Sequence, residues 1–313
     1  MSKYRHNLPQ LGDRLFMTEG GLETTLIFQN GIDLPYFASF DLLKDHAGTT
    51  VLEDYYKRFA AMAVERGIGA VLEAPTWRAN PDWASKLGYS ADMLAEANRK
   101  AISLLLRVRA TYEAPGSPIV VSGNLGPRGD GYRADARMTM EDARAYHLPQ
   151  IDTFAGTDAD MVAAFTMNYI DEAIGIVRAA QTCGMPVAIS FTLETDGRLP
   201  SGDTLREAIE RTDAQTDGYA VYYMINCAHP THFETVLQDG GGWRQRLRGL
   251  RANASRRSHA ELDEAIDLDD GDPQELGMQY RSLRSVLPGL VVVGGCCGTD
   301  HRHVDAVCRS MAA

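Results

Sequence analysis

Val291-Val-Val-Gly-Gly-Cys-Cys-Gly-Thr-Asp300 begins as an uninterrupted apolar run, gives up its side chains at two glycines, and then presents two adjacent cysteines. A run that is apolar at every position, not at alternate ones, is the pattern of a strand covered on both faces, as in a parallel sheet. The residues that follow, His301 to Met311, have helical spacing. Gly294 and Gly295 clear the strand end so that something can come close to the backbone. At a turn both cysteine sulfurs can bend toward one point, where a soft metal ion would fit. The alternative is plain packing, because free cysteine is among the most buried residue types.

A third cysteine weighs against packing. Ala220-Val-Tyr-Tyr-Met-Ile-Asn-Cys227 is a second apolar run that ends in cysteine and leads into a helical segment. Across the chain, strands are expected at 15–18, 70–72, 119–122, 161–165, 187–191, 220–225, 247–252 and 290–293. Helical patterns alternate with them: Leu52, Tyr55, Tyr56, Phe59 and Met62 recur at three-to-four spacing, as do Leu94, Ala97, Ala101, Ile102 and Leu105. Thr204 with Glu207, Thr231 with Glu234, and Asp272-Pro273 with Glu275 read as capped helix starts. Eight strand–helix units without a break in composition make an α/β fold, a single (β/α)8 TIM-type barrel over residues 1–313. A doubly wound sheet is the runner-up.

In a barrel the reactive groups gather where the strands end. Glu19-Gly20-Gly21, Thr76-Trp77, Asn124, Cys227, Asn253, Ser255, Cys296 and Cys297 then share one rim. Three cysteines with a fourth place open is the arrangement of a catalytic zinc. The connections 75–90, 123–139, 193–203 and 253–271 are long enough to act as lids or binding loops.

Composition narrows the alternatives. Lys and Arg number 31 against 42 Asp and Glu, a formal net charge of −11, with no basic cluster beyond pairs such as Arg256-Arg257. That argues against nucleic acid and anionic membrane surfaces as partners. The first residues lack the apolar core of a signal peptide, and no run of ~18 apolar residues occurs. Five cysteines then read as reduced thiols, and a soluble cytoplasmic protein is expected. No Gly-x-Gly-x-x-Gly follows a strand, and neither a phosphate-binding Gly-x-x-x-x-Gly-Lys-Ser/Thr nor a Gly-x-Ser-x-Gly occurs. His229, His301 and His303 are minor ligand candidates. Cys183 and Cys308 read as packing residues, and the acidic stretch 255–272 as a solvated loop.

Asn226-Cys227 and Gly294-Gly-Cys-Cys-Gly298 together resemble the zinc signatures of the homocysteine S-methyltransferase family. Glu19-Gly-Gly-Leu-Glu-Thr24, Gly123-Asn-Leu-Gly-Pro127, Ser190-Phe-Thr-Leu193 and Asp203-Thr-Leu-Arg-Glu-Ala208 extend the likeness over nearly the whole chain. The resemblance implies Zn2+ on Cys227, Cys296 and Cys297. It also implies transfer of a methyl group from a small sulfonium or betaine-type donor to a thiol, homocysteine or a relative of it. The alternative is a zinc-binding barrel that has lost turnover. Three thiolates suit the reaction, because a metal already rich in electrons leaves a bound thiol nucleophilic and activates water poorly.

The resemblance further implies that Glu19, Gly20 and Gly21 hold the amino and carboxylate groups of the substrate, with Thr76 and Asn226 nearby. The family usually has Asp where this chain has Glu19. At Phe165-Thr166 the family has Glu-Thr, so a carboxylate that holds the substrate amine has become an aromatic. Homocysteine is then expected to be a weak acceptor unless another acid, Glu73 or Glu194, takes over. The partners are a small-molecule thiol acceptor and a methyl donor, with no nucleic acid and no membrane; homo-oligomerisation is left open.

Overall fold

Eight parallel strands close on themselves in chain order. They are β1 (Phe16–Met17), β2 (Gly69–Glu73), β3 (Ile119–Leu125), β4 (Met161–Met167), β5 (Val187–Thr192), β6 (Tyr222–Asn226), β7 (Leu247–Ala252) and β8 (Val292–Gly295). β8 completes the ring by pairing with β7, Arg251 opposite Gly294, and with β1, Phe16 opposite Val292. This computed structural model describes residues 1–312, apart from the side chain of Asp239. The expected barrel is found, and the doubly wound alternative is excluded by the closure of β8 onto β1.

Alternate residues of each strand enter two different cores. Phe16, Val71, Val120, Met161, Ala163 and Phe165 belong to a cluster inside the barrel. Met17, Ala70, Leu72, Val121, Val162 and Val293 belong to the layer between the barrel and its helices. Both faces are covered, which is why the strands read as unbroken apolar runs and not as alternating ones.

The helices that cover the barrel include His46–Arg66, Ala91–Tyr112, Met140–Ala155, Ile170–Thr182, Leu205–Thr216, Pro273–Val286 and His301–Ala312. Thr204 and Glu207 form the expected capping box, and the Asp272 carboxylate accepts from the backbone N–H groups of Gln274 and Glu275. One expectation fails. The short helix Pro230–Phe233 is capped by His229, whose side chain accepts from the Thr231 N–H, and not by Thr231. Pro230 takes the first helical position, where its missing N–H costs nothing, and this sets the start two residues earlier.

β2, β3 and β4 also run further than expected, to Glu73, Leu125 and Met167. Their last turns contain polar residues that stay in the ladder without an apolar signature. The loops at 75–90 and 253–271 carry short helices, Pro81–Lys86 and His259–Asp263. Among the described residues, no helix is long and apolar enough to cross a membrane.

Candidate active site

Cys227 follows β6, and Cys296 and Cys297 follow β8; their sulfurs all lie within 4.8 Å of one another. Residues 69 apart in sequence meet because both strands end at the same rim. Cys227 and Cys296 are paired sulfur to sulfur here, and Cys297 is free. Among the described residues no histidine or carboxylate joins the group. The donor set is therefore three soft sulfurs, which fits Zn2+ once all three are thiolates.

The polypeptide around Cys227 is tightly specified. Its backbone lies in the left-handed region at φ 54°, as does that of Thr166 at φ 63°. Non-glycine residues hold such angles only where the surroundings impose them. Asn226 supplies much of that constraint. Its Oδ1 accepts from the Thr166 N–H at 2.9 Å and from the Ser190 hydroxyl at 2.6 Å. Its Nδ2 donates to the Thr166 hydroxyl at 2.9 Å and to the Cys227 sulfur at 3.1 Å. The carbonyl of Cys227 in turn accepts from His259 Nε2 at 2.5 Å and Asn253 Nδ2 at 3.0 Å.

The sulfurs open onto a cavity of about 380 Å3 lined by residues from the ends of several strands. Two buried carboxylates face it. Glu19 accepts from the N–H of Glu73 at 2.9 Å and lies 3.4 Å from Nη1 of Arg251. Burial pushes its carboxyl up to about 7, against the pull of Arg251. Glu73 is pushed up to about 8, first by burial and then by the charge of Glu19. One oxygen of Glu73 is sealed from water and has no hydrogen-bond partner. Two acids therefore share one guanidinium.

Arg251 is itself pinned, donating to the carbonyls of Gly295 and Gly20 at 3.0 Å each. Its guanidinium lies 5.1 Å from the ring centre of Phe165. The residue in place of the family's acid is thus buried beneath an arginine. Of the two replacement acids, Glu73 lines the cavity, whereas Glu194 lies 3.2 Å from His259 and does not line it.

Glu19, Gly20, Gly21, Phe165, Asn226 and the three cysteines all line the cavity. The glycines, however, serve the fold first. A Cβ on Gly21 would run into the carbonyl of Cys296, and one on Gly295 into the hydroxyl of Thr299. The close approach expected at these glycines is made by the neighbouring loop. The N–H of Gly21 is donated to the Thr299 carbonyl at 2.9 Å. Thr76 is not brought to the cavity; it is fully buried and its hydroxyl donates to the Asn124 carbonyl at 2.7 Å. The neighbouring Trp77 lines the cavity instead.

His229 is turned toward Thr231, and His303 toward Asp300. Cys308 is buried in the outer core, and Cys183 packs against it half-buried.

Sequence reasoning passed over three cavity residues. Tyr132 lies with its hydroxyl 3.7 Å from the Cys297 sulfur and its ring 4.0 Å from that of His259. Arg251 was read only as part of a strand. Arg78 was not singled out although it follows Trp77.

The family model for homocysteine S-methyltransferases matches residues 16–311. The chain is 26% identical over 276 residues to a homocysteine S-methyltransferase of Escherichia coli, covering 81% of each sequence. It is 24% identical over 272 residues to homocysteine S-methyltransferase 4 of Zea mays, covering 79% of this chain and 77% of that one. Among solved structures it is similar to the metallated form of the homocysteine methyltransferase MmuM of Escherichia coli. There the TM-score is 0.73 at 21% identity, over 95% of this chain and 96% of the other.

Proposed function

The chain belongs to the homocysteine S-methyltransferase family, and from that premise we propose that it is a zinc-dependent methyltransferase acting on homocysteine or a closely related thiol. The donor in this reading is a small sulfonium or betaine-type molecule. The observation that carries it is the trio of sulfurs on the wall of a cavity that also holds two buried acids. A purely structural zinc site is closed by a fourth protein ligand, and among the described residues none joins the trio.

Cys227, Cys296 and Cys297 would hold the zinc, which when bound supplies a cation that keeps an acceptor thiol deprotonated at neutral pH. The chain's own groups do the remainder. Asn226 directs an amide hydrogen at the Cys227 sulfur, and the Tyr132 hydroxyl, 3.7 Å from the Cys297 sulfur, would donate to it once that sulfur is a thiolate; such contacts orient ligands and tune their basicity. The acceptor sulfur then attacks the methyl carbon in line. The new S–C bond forms as the donor's bond to that carbon breaks, and the electron pair leaves with the donor as a neutral thioether or amine. Holding sulfur and methyl at ~3–3.5 Å is the main service the cavity renders.

Glu19 and Glu73 are suited to an ammonium. Each is held partly protonated by burial, and a cation placed between them lets both ionise. In this reading Glu73, on β2, stands in for the acid that β4 lacks at Phe165, so homocysteine remains an acceptable substrate. The test is metal analysis of the purified protein together with methyl transfer from S-methylmethionine or glycine betaine to homocysteine. A protein that carries zinc but methylates no thiol from either donor refutes the enzymatic reading.

A further inference from the structure

The cavity wall contains a buried cation that the reaction as described does not use. Arg78 follows β2 in the loop 75–90 and is 7% exposed, with its guanidinium 4.0 Å from the ring centre of Trp77 and 3.9 Å from that of Trp83. It is clamped between two indoles, which fixes the plane of the fork. Its Nη1 donates to the carbonyl of Gly129 at 3.0 Å. Nε is sealed from water without a partner, and among the described residues no hydrogen bond engages Nη2.

No carboxylate among the described residues comes within ion-pair distance of Arg78. Glu23 and Asp130 are near enough to be felt electrostatically, but both are committed elsewhere. Glu23 accepts from the Ser39 hydroxyl at 2.9 Å, and Asp130 from the Tyr132 N–H at 2.8 Å. Buried charges in proteins are as a rule paired, because an uncompensated one is costly. An arginine held flat on the wall of a substrate cavity, with Nη2 unbonded, is placed to give a charge-assisted hydrogen bond to an oxyanion.

We propose that Arg78 is the receptor for a substrate carboxylate. This deepens the methyltransferase reading and rests on it for the identity of the ligand. The backbone supports it: the N–H of Gly21, which the family likeness assigns to the substrate's amino-acid end, is already given to Thr299. A carboxylate in this cavity therefore takes its charge-assisted contact from a donor other than Gly21. The acceptor thiol and the donor both belong to classes with carboxylate-bearing members, and the experiment separates them.

Zinc-loaded wild type, Arg78→Met and Arg78→Lys are titrated with homocysteine, with 3-aminopropane-1-thiol (homocysteine without its carboxylate), with S-methylmethionine and with (3-aminopropyl)dimethylsulfonium (S-methylmethionine without its carboxylate). Binding is read by calorimetry and by tryptophan fluorescence, so no turnover is required. Two of the three tryptophans in the chain are those flanking Arg78. We expect Arg78→Met to weaken the carboxylate-bearing member of one pair by about thirty-fold or more, as for a lost charge-assisted contact. Its carboxylate-free analogue should be unchanged, and Arg78→Lys should recover part of the loss.

Loss confined to the thiol pair assigns the carboxylate to the acceptor, and loss confined to the sulfonium pair assigns it to the donor. The proposal is overturned if the wild type binds each analogue as well as its parent. It is also overturned if both variants weaken all four ligands equally while their melting temperature falls, as for a purely structural stack. Methyl-transfer assays on the same proteins report separately on the functional reading.

Discussion

Glu73→Gln removes a carboxyl that the fold holds against its nature. The native state raises this group from 4.5 to about 8, chiefly by burial. Between those values the folded chain keeps a proton that the unfolded chain has released. More protons bound in the native state means that stability falls as pH rises through that window. At about 1.4 kcal/mol per unit, the rise bounds the penalty above pH 8 at about 5 kcal/mol. Part of that is repulsion from Glu19, which the neutral amide also removes.

We expect the variant to be more stable than wild type by about 2–4 kcal/mol at about pH 8.5, and by under about 1 kcal/mol at about pH 5. The corresponding rise in melting temperature at the higher pH is several degrees for a chain of this length. Thermal unfolding of the two zinc-loaded proteins at both pH values measures it, and the pH dependence of zinc binding itself cancels in the difference. A gain equal at both pH values, or a loss at the higher one, would refute a carboxyl raised by burial. The same variant should bind homocysteine less well, so stability and affinity move in opposite directions.

Single Cys→Ala variants at Cys227, Cys296 and Cys297 should each lose most of the bound zinc, whereas Cys183→Ala and Cys308→Ala should retain it; metal analysis decides, and full retention in the first three sinks the site. Asn226→Ala should lower zinc affinity about 10–100-fold by releasing the Cys227 sulfur, measured by competition with a chelator. Glu19→Gln should cut kcat/KM about ten-fold or more with zinc content unchanged; activity that survives while the melting temperature drops would make the residue structural. In a panel of thiols, wild type should prefer homocysteine to its des-amino analogue 4-mercaptobutanoate, and Glu73→Gln should narrow that preference. A wild type indifferent to the amine would instead return Phe165 to the role of a specificity switch.

The barrel and the cysteine trio were legible for one shared reason. Strands buried on both faces leave unbroken apolar runs, and reactive groups collect where such runs stop, so Cys227, Cys296 and Cys297 could be grouped without knowing any distance. Residues that act from inside the barrel's top layer were harder to see, yet strand parity carries them. Val71 points inward, so Glu73, two residues on, points inward too; Met161 and Ala163 do the same for Phe165. Gly249 lies against the inward-facing Met224, and that parity delivers Arg251 to the cavity. Tyr132 and His259 come from loops with no period to read, and only the closed structure brings their rings together. Thr76 shows the opposite limit: a motif match gave its place in the chain, but one hydrogen bond to Asn124 turned it away from the cavity.

In the reading proposed above, the same parity lets β2 supply the acid that β4 lacks. Glu73, Phe165 and Arg251 line one cavity, so a charge absent on one strand can be supplied by another. Phe165 then does something an acid there would not. Its ring lies under the Arg251 guanidinium, leaving that cation to be shared by Glu19 and Glu73 only. A third carboxylate in the layer would compete for the same arginine and raise the cost of ionising all three. Phe165→Glu is therefore expected to push Glu73 further toward its protonated form, so adding an acid should not simply add affinity for an amine. If homocysteine affinity in Phe165→Glu rises as much at about pH 6 as at about pH 9, the three positions do not share one electrostatic site.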